Sequence, residues 1–178
     1  MEQLIKQIEQ WANDRNIING TKPIDQAMKL FSEFGELADN VGKGRDCRDD
    51  IGNVFVVLTI MCKQHGESID NFLASCGSSY DIKGAIIELC ENLIVFAKAK
   101  DISDESVMDS LDMSTALLDS IALATGHTMQ ECVQIAYDDI KDQKGIVSNG
   151  VFIKESDPAY AQVIAEIENN FGVENESN

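Results

Sequence analysis

The chain has 178 residues, 44% of them hydrophobic, and carries a formal net charge of −17 at pH 7. This charge argues against a nucleic-acid backbone or an anionic membrane surface as the partner, because proteins that bind either concentrate lysine and arginine. The length suits one domain, or two small halves that share a core.

Hydrophobic periodicity in the N-terminal part predicts three helices. Apolar residues recur at helical spacing over 3–15, 23–41 and 46–65. We expect a turn at 16–22 and a further helical turn at 68–73. Because few residues join the second and third helices, these two should fold back on each other as an antiparallel hairpin.

Each helix of this hairpin carries two oxygen-bearing side chains three residues apart. The pairs are Glu33 with Glu36 and Asp50 with Asn53. Residues at this spacing share a helix face, so the hairpin should bring three carboxylates and one amide together. Such carboxylates raise one another's pKa unless a cation lies among them, and oxygen ligands suit Mg²⁺ or Mn²⁺. The alternative is a solvated acidic helix face.

Two features favour a buried site over solvated acids. Gly35 lies between the two glutamates, and a glycine within a helix costs about 1 kcal/mol relative to alanine, so we expect a close packing contact there. Asp50 and Asn53 begin an almost entirely apolar segment, where a polar side chain needs a specific partner.

The second part of the chain predicts another helical hairpin. A polar connector at 76–81 precedes helical patterns over 82–100 and 103–128, and Glu88 and Glu91 repeat the spacing of the first acidic pair. Both an internal duplication and a chance likeness of two amphipathic hairpins stay open. In either case we expect this hairpin to be a structural companion and not a second site.

The C-terminal part predicts a last long helix over 128–144, with Thr128 as its cap. An extended segment or hairpin arm at 149–155, a helical pattern at 159–167 and a disordered polar tail should follow. Because β-propensity is scarce elsewhere, the predicted fold class is all-α.

The cysteines and the apolar runs bear on location. Five cysteines lack metal-ligand spacing, so we expect them to be reduced and buried, and the protein to be cytoplasmic. The N-terminal pattern is typical of an amphipathic helix and not of a signal peptide. No apolar run reaches the roughly 18 residues of a membrane span.

Four motifs occur in an order that resembles a known enzyme family. They are WANDR at 11–15, EFGELAD at 33–39 with QAMKL at 26–30 leading into it, DDIGNVFVVL at 49–58 and AYDDIKDQKGIVSNGVFIKE at 136–155. The set resembles the MazG-like nucleoside triphosphate pyrophosphohydrolases, an all-α superfamily that includes dimeric dUTPases and phosphoribosyl-ATP pyrophosphohydrolase. The resemblance covers 1–66 and 128–155, and the region 77–127 looks like an insertion or a duplicated hairpin.

The resemblance implies an antiparallel helical bundle of MazG-like type over residues 1–155. Residues 1–75 would form its active-site half and 82–145 its repeat-like half, with a C-terminal helix and polar tail at 156–178. It also implies homo-oligomers, as dimers or tetramers, in which hairpins from two subunits share one bundle.

The implied activity is Mg²⁺-dependent hydrolysis of (deoxy)nucleoside triphosphates to the monophosphate and pyrophosphate. Glu33, Glu36 and Asp50 would be the catalytic residues, and these three with Asn53 would bind the metal ion. The implied contacts to the substrate come from Lys29, Arg15, Trp11, Lys141 and Lys144. For each lysine the alternative is a solvated surface charge, and for Trp11 it is a place in the core.

Two departures from the family pattern leave a second function open. Asn53 stands where the family has aspartate, which leaves the cluster one charge short, and Gln143 stands where it has arginine, which removes one bidentate phosphate partner. The alternatives are therefore a non-catalytic nucleotide- or metal-binding protein weakened by Asn53, and an acidic helical interaction module.

Overall fold

The computed structural model describes residues 1–77 and 81–166. This part of the chain is all-α apart from one small hairpin of two antiparallel strands, so the predicted fold class is confirmed. The helices are α1 (Glu2–Asp14), α2 (Ile17–Gly20), α3 (Pro23–Lys43), α4 (Arg48–Gln64), α5 (Ile82–Ala97), α6 (Glu105–Ala124) and α7 (Met129–Ile140), with a 3₁₀ turn at Ile69–Phe72. The strands are β1 (Gly145–Ser148) and β2 (Val151–Lys154).

Local sequence signals account for the ends of the helices that matter here. At the start of α3, the Asp25 carboxylate accepts a hydrogen bond from the Lys22 N–H at 2.9 Å. The same helix ends at Gly44, which has φ 64° and so adopts the left-handed conformation that glycine tolerates best. At α7 the predicted capping box is present, because Thr128 and Glu131 bond each other's backbone N–H groups.

The predicted boundaries are wrong at several places: α5 ends at Ala97 and not at residue 100, and α6 covers Glu105–Ala124 and not 103–128. Two further differences lie near the candidate site. The segment expected to be a turn at 16–22 contains the short helix α2. The last long helix ends at Ile140 and not at residue 144, because the chain leaves the helix to enter the β1–β2 hairpin. The turn of that hairpin is Asn149-Gly150, both with positive φ, a pair that favours two-residue hairpins.

Two expectations lie partly outside the described residues. The predicted C-terminal helix is present over 160–166, whereas the polar tail falls beyond the described part. The connector at 76–81 is described only at 76–77 and 81.

The centre of the fold is α4, which is buried around its whole circumference. Apolar side chains from Ile51 to Cys62 are inaccessible or nearly so, interrupted only by the part-exposed Asn53 and the buried Thr59. A helix that is apolar on all sides has to be covered on all sides, and here α1, α3 and α7 supply most of the cover. The second hairpin, α5 with α6, packs against α3 and α4.

The expectation that all cysteines are buried is wrong for two of the five. Cys47, Cys62 and Cys132 are buried and free, but Cys76 is exposed in the connector and Cys90 is half-buried on α5. Burial raises the pKa of the Cys132 thiol to about 12, which makes this thiol unreactive near neutral pH.

In the described residues, no helix has both the length and the apolar character that crossing a bilayer requires.

Two helical glycines differ sharply in their surroundings. A Cβ built on Gly52 would lie 2.2 Å from the Cys132 carbonyl oxygen and 2.7 Å from Ala136 Cβ, so this glycine lets α4 and α7 approach closely. Gly35, for which we expected a packing contact, has nothing within 4 Å of such a Cβ. The expected packing contact at Gly35 is therefore absent from the described part of this chain, because Gly35 lies on an exposed side of α3.

We predict that Gly52→Ala lowers the free energy of unfolding by about 2 kcal/mol or more, because α4 and α7 must separate to admit the methyl group. Gln134→Ala on the exposed side of α7 is the control and should change stability by no more than about 0.5 kcal/mol. Urea denaturation of both variants measures the difference. A Gly52→Ala protein as stable as Gln134→Ala would contradict the close α4–α7 packing.

Candidate active site

A cavity of about 480 Å³ lies where α1, α3, α4 and α7 meet the β1–β2 hairpin. One part of its wall is apolar, with Trp11, Val57, Ile60 and Phe152 among the lining residues. The remainder is polar and carries charged side chains from three helices and a strand. The cavity is therefore amphiphilic, as binding sites for small polar ligands with a ring system often are.

The polar part of the wall is predominantly acidic. Glu33 from α3, Asp49 from α4 and Asp139 from α7 line it together with Asn53. Lys29 and Lys154 also line the cavity. The packing of α3 and α7 on α4 brings these groups together, although their sequence positions are far apart.

Glu33 is the best-enclosed carboxylate in this wall. It is only 6% exposed because it lies on the side of α3 that faces α4. The Lys29 ammonium, one turn earlier on the same helix, forms an ion pair with it. Lys29 therefore lies on the predicted face and compensates part of the buried negative charge.

Asp50 is also buried, at the first turn of α4. Burial raises the pKa of the Asp50 carboxyl, the nearby charges of Glu33 and Asp46 raise it further, and the hydrogen bond from Asn40 lowers it. The Asn40 amide donates to this carboxylate at 2.7 Å. The folded protein thus holds Asp50 in surroundings that disfavour its ionised form.

The pKa of Asp49, which lines the cavity, is raised in the same way. Burial raises the pKa of its carboxyl, the charges of Asp139, Asp50 and Glu33 add to this, and a hydrogen bond from Asn53 opposes it. The Asn53 amide donates to Asp49 at 3.2 Å. A divalent cation would relieve the mutual repulsion of these carboxylates, so the donor set fits the oxygen ligands that Mg²⁺ prefers.

The four predicted metal ligands are only partly brought together. Glu33 and Asn53 share the cavity wall, and Asp50 lies close enough to Glu33 to feel its charge. Glu36 is exposed and does not line the cavity. Among the described residues, no three His, Cys, Asp or Glu side chains are arranged as a metal-binding group.

Trp11 lies in the cavity wall at 8% exposure. Its ring packs edge-on against Phe152 at a centroid distance of 6.0 Å, and the Arg15 guanidinium lies 5.0 Å from its centroid. Its indole N–H is buried and has no acceptor among the residues that the structure describes. Trp11 therefore packs in the core and also lines the cavity. A place in the core does not prevent this residue from contacting a ligand.

Arg15 uses its donors on the backbone. Its guanidinium donates to the carbonyl oxygens of Gln143 at 2.6 Å, Lys141 at 3.0 Å and Trp11 at 3.3 Å. It thereby ties the end of α7 and the start of the hairpin to α1. In this conformation its contacts are those of a structural clamp beside the cavity.

The two C-terminal lysines lie outside the cavity wall. Lys141 forms an ion pair with Asp138 at 2.6 Å on the surface of α7. Lys144 lines a separate, more open hollow together with Lys154 and Glu155. Lys154 lines both hollows. Among the described residues after α7, it is therefore Lys154, and not Lys141 or Lys144, that lines the main cavity.

Sequence reasoning missed several residues of this wall. Asp139 lies within the AYDDIK motif, three residues after the buried Ala136, and helical spacing alone would have placed it beside α4. Phe152 and Lys154 come from the hairpin, whose fold-back over the cavity leaves no periodic signal. Gln26 begins QAMKL at 26–30, one of the segments that carry the resemblance, but an uncharged side chain there gave no indication that it lines the cavity.

Comparison with known proteins gives one partial similarity. A stretch of 67 residues is 48% identical to the "Uncharacterized 18.2 kDa protein in rep-hol intergenic region" of Haemophilus phage HP1. This stretch covers 36% of the chain and 41% of the phage protein. No protein-family model matches the chain, and no solved structure matches it. The description of the phage protein states no activity, so function has to be argued from the cavity.

The wild type should become less stable as pH rises, because the buried Asp50 carboxyl loses its proton. We predict that Asp50→Asn removes this loss of stability. In the unfolded chain an aspartate has a pKa of about 3.9, and the folded value is higher. The folded state therefore binds the proton more tightly, and the metal-free free energy of unfolding falls as pH rises from about 4 through the folded pKa. Asparagine can still accept from Asn40, so the variant should keep its fold and melt higher at neutral pH.

Thermal melts between pH 4 and 8 in a chelating buffer measure this effect. Asp109→Asn on the exposed side of α6 is the control for a simple change in net charge. If Asp50→Asn and the wild type lose stability equally over this range, the account of the buried carboxylate is wrong.

Proposed function

We propose that the protein hydrolyses (deoxy)nucleoside triphosphates to the monophosphate and pyrophosphate, as a MazG-like enzyme of nucleotide-pool control in the cytoplasm. The observation that carries the proposal is the cavity, whose wall contains both the apolar side chain of Trp11 and a buried carboxylate, Glu33. A nucleotide has the same two-part character, with a flat base at one end and a charged phosphate chain at the other. The order of the four motifs supports the same assignment.

The charge of the wall explains why a divalent cation belongs to the proposal. Four carboxylates and two ammonium groups line the cavity, and a triphosphate is itself strongly negative. The two would repel each other without further positive charge. Mg²⁺, or Mn²⁺ in its place, would neutralise this charge and polarise the attacked phosphorus.

The chain's own residues would then have separate roles. Glu33, Asp50 and Asn53 would hold the cation, and the Glu33 carboxylate would take the proton from the attacking water. Lys29 and Lys154, which both line the cavity, would bind phosphate oxygens. Glu36 is exposed outside the wall, so its part in the metal site rests on the resemblance alone.

We predict that Glu33→Gln lowers the rate of pyrophosphate release by a factor of at least about 100, the usual effect of losing a general base. Glu88→Gln on the exposed face of α5 is the matched control and should leave the rate unchanged. The assay measures pyrophosphate from a panel of dNTPs with Mg²⁺. A folded wild type that releases none from any dNTP, or an unchanged Glu33→Gln, would contradict the proposal.

One observation favours binding without catalysis as a second candidate function. The Asn53 amide donates to Asp49, so it partly satisfies a carboxylate that a metal ion would otherwise use. Asn53→Asp in the same assay separates the two functions. Hydrolysis that appears only in Asn53→Asp, with nucleotide binding already present in the wild type, would select the non-catalytic function.

A homo-oligomer is a further part of the proposal. The burial of α4 does not require it, because a single chain already covers this helix. A second face of α3 is partly open to solvent instead. Its positions have the alternating four- and three-residue spacing of a helix seam: Ile24, Met28, Gly35 and Gly42 are exposed, whereas Phe31 and Ala38 are half-buried against the core. Ile24 and Met28 are 58% and 60% exposed, and the open space at Gly35 would admit a second helix.

We predict a homodimer through this face, measured by size-exclusion chromatography with light scattering. Ile24→Asp should shift the wild-type dimer to a monomer by placing a charge in the seam. Leu123→Asp on α6, which is also exposed, is the control and should not. A wild type that elutes as a monomer at high concentration would exclude this part of the proposal.

A further inference from the structure

One uncharged polar side chain lies buried in the cavity wall. Gln26, in the first turn of α3, is only 6% exposed and lines the cavity that also contains Trp11 and Glu33. A buried amide needs partners for both its N–H₂ and its carbonyl group. Its hydrogen bonds therefore indicate which of the two groups is left for a ligand.

The orientation of the Gln26 amide is fixed by Thr21. The Thr21 hydroxyl lies 2.7 Å from the Ile17 carbonyl oxygen, and since that oxygen can only accept, the hydroxyl proton must be donated to it. The same hydroxyl oxygen is 2.9 Å from the Gln26 side-chain nitrogen. With its one proton used, Thr21 can only accept here, so the Gln26 N–H₂ group must face Thr21.

Gln64 fixes the arrangement from the other side. Its amide nitrogen donates to the Thr21 hydroxyl at 2.9 Å and to the Thr21 carbonyl oxygen at 3.1 Å. The two lone pairs of the Thr21 hydroxyl are thus both occupied, by Gln26 and Gln64. Neither amide can turn over without losing a hydrogen bond.

The Gln26 carbonyl oxygen is the group that remains. No hydrogen bond within the described residues uses it, although the residue lines the cavity. Among the described residues it is also not one of the fully buried side-chain atoms that lack a partner, and we infer that it faces the cavity that Gln26 lines. Thr21 and Gln64 therefore hold a hydrogen-bond acceptor at a fixed place in the wall.

The position of this acceptor along α3 matches the length of a nucleotide. Gln26 and Glu33 are seven residues apart, which puts them on nearly the same face and about 10 Å apart along the axis. A nucleotide with its phosphates near Glu33 would extend its base towards Gln26, beside the apolar residues Trp11 and Ile60.

We propose that Gln26 is a specificity-determining residue whose carbonyl oxygen accepts a hydrogen bond from an N–H group on the edge of the substrate's base. This inference rests on the proposed function, since it assigns the base end of the same cavity. Thr21 and Gln64 are positioning residues that keep the amide from turning over. A base edge without an N–H group leaves the acceptor unpaired and binds more weakly.

The test measures binding of deoxynucleoside monophosphates, the products of the proposed reaction, by the fluorescence of Trp11. This residue is the chain's single tryptophan and lies in the cavity wall, so the signal reports occupancy directly. The best-bound monophosphate is compared with its analogue in which the edge N–H groups are methylated. The wild type should bind the analogue about three- to tenfold more weakly, the effect of one hydrogen bond.

The variant Gln26→Met keeps the length of the side chain but removes the acceptor. It should bind the two ligands with nearly equal affinity, whereas Gln134→Met on the exposed side of α7 should discriminate like the wild type. Thr21→Val keeps Gln26 but removes the hydroxyl that fixes the orientation of its amide. This variant should therefore lose most of the difference in affinity between the two ligands. This variant carries the test if Gln26→Met does not fold.

The outcomes separate the two proposals. If the wild type and both cavity variants discriminate equally, methylation acts through steric hindrance and the assignment of Gln26 is overturned. If the wild type binds none of the monophosphates, the assignment is also overturned. Neither result bears on the proposed hydrolysis, which the pyrophosphate-release assay with dNTPs tests separately.

Discussion

The burial of α4 on every side is the constraint on which the rest of the structure depends. A helix of this apolar character is stabilised only when other elements exclude water from its whole circumference, and here α1, α3 and α7 do so. Gly52 allows α7 to approach within contact of the α4 backbone. The same packing brings the first two turns of α4, with Asp49, Asp50 and Asn53, near acidic residues of α3 and α7. The candidate site is thus a consequence of how the central helix is covered.

The proposed chemistry follows from the charges that this packing concentrates. The pKa values of Asp49 and Asp50 are raised by partial loss of solvation and by neighbouring carboxylates, and the ammonium group that pairs with Glu33 among the described residues is that of Lys29. Groups held in this way gain stability from an added cation. The apolar remainder of the cavity gives a ring system a place to lie, which a simple cation-binding site would not need.

The sequence predicted most of the helices, because their apolar residues recur at helical spacing and their caps are local signals such as Thr128 with Glu131. It also identified Glu33 and Lys29 on one face. It did not predict that Gly35 faces open space or that Glu36 is exposed, because spacing fixes a helix face but not which neighbour covers it. Gln26 became visible only through the Thr21 hydroxyl, which depends on α2, a helix too short to have a periodic pattern.

The most direct measurement is a crystal structure of the protein with Mn²⁺ and a dNTP whose α,β-bridging oxygen is replaced by a group that resists hydrolysis. The account predicts an anomalous peak between Glu33 and the first turn of α4, with the phosphates beside it and the base against Trp11. Metal and nucleotide bound elsewhere, with Glu33 still paired only with Lys29 and the cavity closed to the ligand, would contradict it.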